Sequence, residues 1–199
     1  EAILRVLDRL SCTVTLRLHN IPMPATVITE HPEIAAGTVE KLGPCILKPL
    51  YSSKARGMQV VEPGSGLKEQ LEQFKAQGNN IIYVQQMLDL PGKDLGVAFL
   101  GGQYLATYAR VNNGNSWNTT INSGGKYEAF EPSPEIIELA RRAQEPFGLD
   151  FTCVDVVETN KGPMVFEVSA FGGFRGLLQA NEIDAAGLYA DYVLKRLEQ

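Results

Sequence analysis

Two short apolar runs near the end of the chain each carry a single acid. Residues 151–157 read FTCVDVV, with Asp155 inside, and residues 164–168 read MVFEV, with Glu167 inside. Runs this apolar and this short are buried strands. A buried carboxylate without a partner is costly, so each acid needs a cation, a hydrogen-bond network or a raised pKa. The link ETNKGP is short and polar, which predicts a hairpin that presents both acids to one partner. The second strand runs into AFGGFRGL, a turn with three glycines, two aromatics and an arginine.

The rest of the chain alternates helices with hairpins. Asp8 can cap a helix running to about His19, and NIPMPATVIT turns through Pro22 and Pro24 into a strand. A helix follows His31 and Pro32 and ends near Gly43; CILKPL is a buried strand, and YSSKARGMQVV is a loop leading to another strand. Leu67, Leu71 and Phe74 recur at helical spacing with Gly78 just beyond, and IIYVQQML is a strand broken by LPGKD. LGVAFL and YLATYAR flank GGQ, a hairpin. The polar stretch 111–125 reads as a functional loop, Pro134 opens a helix to Phe147, and Ile183 begins an amphipathic helix to Leu197. This order predicts an α+β protein rather than a regular doubly wound sheet.

Composition narrows the chemistry. Of 199 residues, 44% are hydrophobic and 21% charged, which suits a globular protein able to bury a core. The net charge of −5 argues against a nucleic-acid surface, so any anion must be met by locally clustered Lys and Arg. Cys12, Cys45 and Cys153 stand singly in apolar surroundings without metal-ligand spacing, as buried thiols of a reducing, cytoplasmic compartment. No run approaches the roughly 20 apolar residues of a membrane span. His19 and His31 are the two histidines, neither beside a candidate nucleophile. The work falls to carboxylates, lysines and arginines.

Lys48, inside CILKPL, reads either as a snorkelling lysine at a strand edge or as an anion ligand. Ser52, Ser53, Lys54, Arg56 and Gly57 concentrate donors and charge beside a turn, as a phosphate-covering loop does, and as a solvated basic loop also does. Gln86 and Met87 end a strand where backbone groups can meet an adenine edge, and Asp94 can accept from a ribose hydroxyl. Arg110 ends an apolar strand and must find an anion. Asp155 and Glu167 supply the hard oxygen ligands that Mg²⁺ prefers, the alternative being a structural ion pair, with Arg175 as a partner.

The order of these features resembles the ATP-grasp superfamily, in which two α+β lobes clasp ATP. It is closer still to the RimK-like glutamate ligases, including those acting on pterin cofactors. NIPMPATVI, ILKPL with RGMQVV, YVQQML and DVVETNKGPMVFEVSAFGG follow in that branch's order, and the resemblance covers essentially the whole chain. EVSAFGGFRGL is similar to ATP-grasp proteins associated with tetrahydromethanopterin or methanofuran metabolism in methylotrophs. The resemblance implies a central lobe over residues 1–86 and a C-terminal lobe over residues 87–199. It implies Lys48 on the nucleotide phosphates, Gln86 and Met87 on adenine, and Asp94 on ribose. Arg110 would stabilise the transferred phosphoryl group, Asp155 and Glu167 would hold magnesium, and Gly172, Gly173 and Arg175 would face the acceptor.

Four departures qualify the match. The third metal ligand, an Asn in the branch, is Ser169; Arg and Asn of the polar loop are replaced by Asn118 and Thr120, so γ-phosphate contacts there are open. The glycine-rich loop is SSKARGM, in which Lys54 and Arg56 can supply charge, and an early nucleotide lysine is Arg9. The resemblance thus implies an ATP- and Mg²⁺-dependent carboxylate–amine ligase working through an acyl phosphate on small-molecule substrates, with glutamate as the amine by analogy. The substituted positions favour an alternative, a nucleotide-binding module without turnover. The apolar start EAILRVL gives one more expectation: an N-terminal domain, or a partner subunit, completes the substrate cleft.

Overall fold

The computed structural model describes residues 1–90, 92–112, 114, 119 and 124–198. The chain divides into two compact units, one comprising Glu1–Pro22 and Leu90–Gln199, the other Met23–Asp89. This grouping differs from a division at residue 86 chiefly in residues 1–22. Among the described residues each unit is built on one antiparallel sheet.

In the smaller unit the strands β1 (Thr26–Thr29), β2 (Cys45–Lys48), β3 (Gln59–Val61) and β4 (Ile82–Gln86) lie in the order β1-β4-β2-β3. Helices α3 (Pro32–Leu42) and α4 (Leu67–Ala76) cover one face. The core there is Ala35, Val39, Cys45, Leu47, Val61, Leu67, Leu71, Phe74, Ile82 and Val84, and its strand members are the alternate positions that pleating turns to that face. The other face carries Thr26, Tyr83, Gln85 and Lys48, with Thr26 opposite Gln85 and Lys48 opposite Tyr83.

The larger unit has the order β7-β6-β5-β8-β9, from β5 (Lys93–Leu100), β6 (Gln103–Val111), β7 (Lys126–Ala129), β8 (Phe151–Thr159) and β9 (Gly162–Ala170). Its helices are α1 (Ala2–Leu7), α2 (Arg9–Leu18), α5 (Pro134–Gln144), α6 (Phe174–Asn181) and α7 (Ala185–Leu197). Asp8 caps α2 by accepting from the Leu10 N–H, and Ser133 caps α5 from Ile136. One face of the sheet meets α5, where Thr152 donates to Gln144 Oε1. The opposite face is apolar at one end, where Ala98, Ala106, Tyr108, Phe151 and Cys153 pack with Leu177 of α6 and Ala185 of α7. Two strand positions further on, the same face turns polar.

Three elements lie where the sequence suggests none, and one is the strand β7, just past the polar stretch 111–125. The first helix α1 precedes the Asp8 cap, and α6 occupies the stretch read as an acceptor loop. Gly176 disguises α6, since glycine disfavours helix interiors. It is there for space: a Cβ on Gly176 would lie 2.6 Å from the Tyr108 ring, and one on Gly96 of β5 would lie 2.3 Å from it. The ring of Tyr108 is held between two strand and helix backbones.

Candidate active site

Antiparallel register builds the polar end of the larger sheet. Asp94 pairs with Arg110 across β5–β6, Gly96 with Asp155 across β5–β8, and Asp155 with Glu167 across β8–β9. Side chains two apart share a face, so Asp94, Arg110, Asp155, Glu167 and Ser169 all belong to the face that carries Tyr108 and Cys153. The two acids singled out in the sequence are direct cross-strand neighbours.

Arg110 is the hub. Its Nε donates to both carboxylate oxygens of Asp94 at 3.1 Å, and its Nη2 donates to Asp94 Oδ2 and lies 3.0 Å from Asp155 Oδ1. Asp94 is 5% exposed and also accepts from the Thr119 hydroxyl. Arg110 Nη1 donates in no hydrogen bond among the described residues, so one arm of the guanidinium is not engaged by the clamp. Glu167 meets a second guanidinium: Arg9 Nη2 lies 3.6 Å from Glu167 Oε2. These pairings correct one expectation, because the counter-ions of Asp155 and Glu167 are Arg110 and Arg9. Arg175 instead donates to Gln179 on its own helix.

Three carboxylates and two guanidiniums leave this cluster one negative charge over. Burial pushes the Asp155 carboxyl up to about 7; Arg110 pulls it down, and Glu167 and Asp94 push it back up. Desolvation and like charge therefore outweigh one shared arginine, and a further cation would relieve both. Among the described residues no group of three or more His, Cys, Asp and Glu forms a ready cage. Two carboxylates and a hydroxyl still suit Mg²⁺, which keeps several waters and is held by one or two carboxylates plus phosphate oxygens. Asp155 and Glu167, with Ser169 beside them, are the residues that would hold it.

In the smaller unit Lys48 Nζ donates to Gln85 Oε1 at 2.5 Å. Gln85, buried in β4, carries the same signal that exposes Asp155, a polar residue inside an apolar strand, and it adjoins Gln86 and Met87. The backbone N–H groups of Gln86 and Met87 donate to Ala25 and Pro44 carbonyls at 2.8 and 2.9 Å. They do not face outward as donors, so an adenine edge at this strand end would meet carbonyls, side chains or a later N–H. Lys54 has φ 56° and Arg56 turns back to donate to the Ser53 carbonyl and hydroxyl. Asn118 and Thr120 lie outside the described residues.

The acceptor turn is tightly packed. Gly173 caps α6 with φ 93°, and a Cβ there would lie 3.2 Å from Cys153 Sγ; a Cβ on Gly172 would lie 3.1 Å from Ser169 Cβ. Packing against the sheet alone accounts for both glycines. Tyr108, whose hydroxyl lies 3.5 Å from Cys153 Sγ, was not legible as a site neighbour.

A profile of the RimK-like ATP-grasp domain matches residues 6–193. A probable alpha-L-glutamate ligase from Maridesulfovibrio salexigens is 26% identical over 199 residues, covering 99% of this chain and 66% of its own. The tetrahydromethanopterin:alpha-L-glutamate ligase of Methanocaldococcus jannaschii is 28% identical over 205 residues, covering 100% of this chain and 68% of its own. Among solved structures, a RimK domain protein from Sphaerobacter thermophilus superposes with a TM-score of 0.75 at 26% identity, over 97% of this chain and 69% of its own. The chain thus spans about two thirds of these proteins' lengths. Among the described residues no helix is long and apolar enough to cross a membrane. With its two antiparallel sheets and a profile match over nearly its whole length, the chain belongs to the RimK-like ATP-grasp family.

Proposed function

We propose that this chain carries the nucleotide and metal residues of an ATP-dependent carboxylate–amine ligase. A substrate carboxylate oxygen attacks the γ-phosphorus of ATP and ADP leaves; the amine nitrogen then attacks the acyl-phosphate carbon, loses a proton and expels phosphate. The names of the relatives support glutamate as the amine and a cofactor carboxylate as the acceptor. Free, buried Cys12, Cys45 and Cys153 support a reducing compartment.

The observation that carries this reading is the arginine clamp. Asp94 grips Arg110 through Nε and Nη2, which fixes the guanidinium plane and leaves Nη1 to face a phosphoryl oxygen. Such a donor, immobile before reaction, stabilises developing charge without reorganisation. This assigns Asp94 to holding Arg110, and a ribose contact would need another residue. Arg110 also orients Asp155, which with Glu167 would hold Mg²⁺; the ion would neutralise charge on the phosphates. Arg9, next to Glu167, and Lys48, Lys54 and Arg56 are the further phosphate ligands. Gln86 and Met87 line the adenine side, and Gly172, Gly173 and Arg175 the acceptor side.

Ser169, a weaker ligand than Asn, favours a second reading, a nucleotide-binding module without turnover. Single-turnover ADP release from Mg·ATP, with glutamate and a panel of cofactor carboxylates, separates the two. Release that requires a carboxylate, with amide product formed only when glutamate is also present, supports ligation; tight Mg·ATP binding without release under any pair supports the module.

A further inference from the structure

The polar face of the smaller sheet contains a directed chain of hydrogen bonds that includes Lys48. The Thr26 hydroxyl donates its one proton to the Pro24 carbonyl at 2.8 Å. Its oxygen is thereby left to accept, and it accepts from Gln85 Nε2 at 3.0 Å. The Tyr83 hydroxyl lies 3.3 Å from the same nitrogen. With the amide NH₂ fixed on Thr26 and Tyr83, Oε1 must point the other way, where Lys48 Nζ donates to it. Thr26, Tyr83 and Gln85 are 5%, 1% and 1% exposed, so no bulk water competes for these groups. Hydrogen bonds in such surroundings are strong when complete and costly when broken.

We infer that Gln85 is a positioning residue that aims the Lys48 ammonium at the nucleotide phosphates, with Thr26 and Tyr83 fixing which end of its amide faces the lysine. This rests on the reading of Lys48 as a phosphate ligand. The amide suits the task because it is neutral. It takes one of the ammonium's three donors and fixes its direction without cancelling its charge, whereas a carboxylate at position 85 would form an ion pair and compete with phosphate. Tied to Gln85, the Lys48 side chain loses less entropy on meeting a ligand.

A double-mutant cycle on the 199-residue chain tests this, read as the dissociation constant of Mg·ATP by calorimetry, with thermal midpoints recorded for every variant. Gln85→Met keeps the length and removes the acceptor, and binding should weaken about tenfold, the scale of one hydrogen bond to a charged group. In the Lys48→Met background the same change should have almost no effect. Gln85→Glu should weaken binding further than Gln85→Met. Thr26→Val, which frees the amide but leaves Gln85 in place, should weaken binding a fewfold and carries the cycle if Gln85→Met does not fold. Equal losses from Gln85→Met or Thr26→Val in both backgrounds would mean a merely structural role and overturn the inference while leaving Lys48 a ligand. A Lys48→Met chain that binds as the unaltered chain does, or an unaltered chain that does not bind Mg·ATP, would overturn the inference together with the reading it rests on.

Discussion

Asp155 shows how a single buried acid makes the fold sensitive to pH. Its carboxyl titrates near 7 because burial and the neighbouring acids outweigh Arg110. A raised folded pKa means that the native state holds a proton the unfolded chain has already lost. Stability is therefore drawn down as pH rises from the ordinary carboxylate range toward 7, where the buried charge forms. Asp155→Asn should accordingly raise the thermal midpoint at pH 8 more than at pH 5, in melts without nucleotide. A divalent cation reverses the preference, so Mg·ATP binding near pH 7 should release a fraction of a proton. Calorimetry in two buffers of different ionisation enthalpy reads this directly, and the release should disappear in Asp155→Asn. The acids themselves were legible, since a charge inside FTCVDVV or MVFEV needs a reason. Their partners were not. Asp94 meets Arg110 through a one-residue slip in register between Ala98 and Phe99. An unbroken ladder from the Gly101–Gly102 turn would set Asp94 opposite Ala109 and turn Arg110 to a different neighbour. No residue type announces that bulge.

Among the elements, Tyr108 on β6 and Gly176 on α6 decide how closely the helix approaches the sheet. Gly176→Ala should cost about 1–3 kcal/mol, the range for overpacking a rigid contact, measured by denaturant unfolding. Replacing Tyr108 by Leu in the same chain should recover part of the loss, because the atoms a new Cβ would strike belong to the ring. The strands other than β7 and the helices α2, α3, α4, α5 and α7 followed from periodicity, caps and glycine stops. Helix α6 did not, because FGGFRGL has the composition of a loop, and only the ring beneath it explains why a helix there should contain glycine. The end of β4 misled in another way. Gln86 and Met87 end a strand as expected, but their N–H groups complete the sheet, and the informative side chain is the adjacent Gln85.

At the scale of the whole molecule, the N-terminal segment belongs with the far end of the chain. Arg5 donates to the Pro146 carbonyl, Arg9 pairs with Glu167, Cys12 reaches the Val168 carbonyl, and the Val165 N–H donates to Pro22. These four ties join residues more than a hundred positions apart, which is why no local pattern reveals them. A chain starting at Met23 should lose them all and melt several degrees lower than the 199-residue chain, whereas Arg5→Met alone should shift the midpoint only slightly. The central claim is that Asp155 and Glu167 take a magnesium-bound nucleotide, and it is tested most directly by the affinity for ATP with and without Mg²⁺, in the unaltered chain and in Glu167→Gln. Magnesium should tighten ATP binding at least tenfold in the unaltered chain and leave it nearly unchanged in folded Glu167→Gln. The same tightening in both proteins would contradict the assignment and leave Glu167 as the structural partner of Arg9.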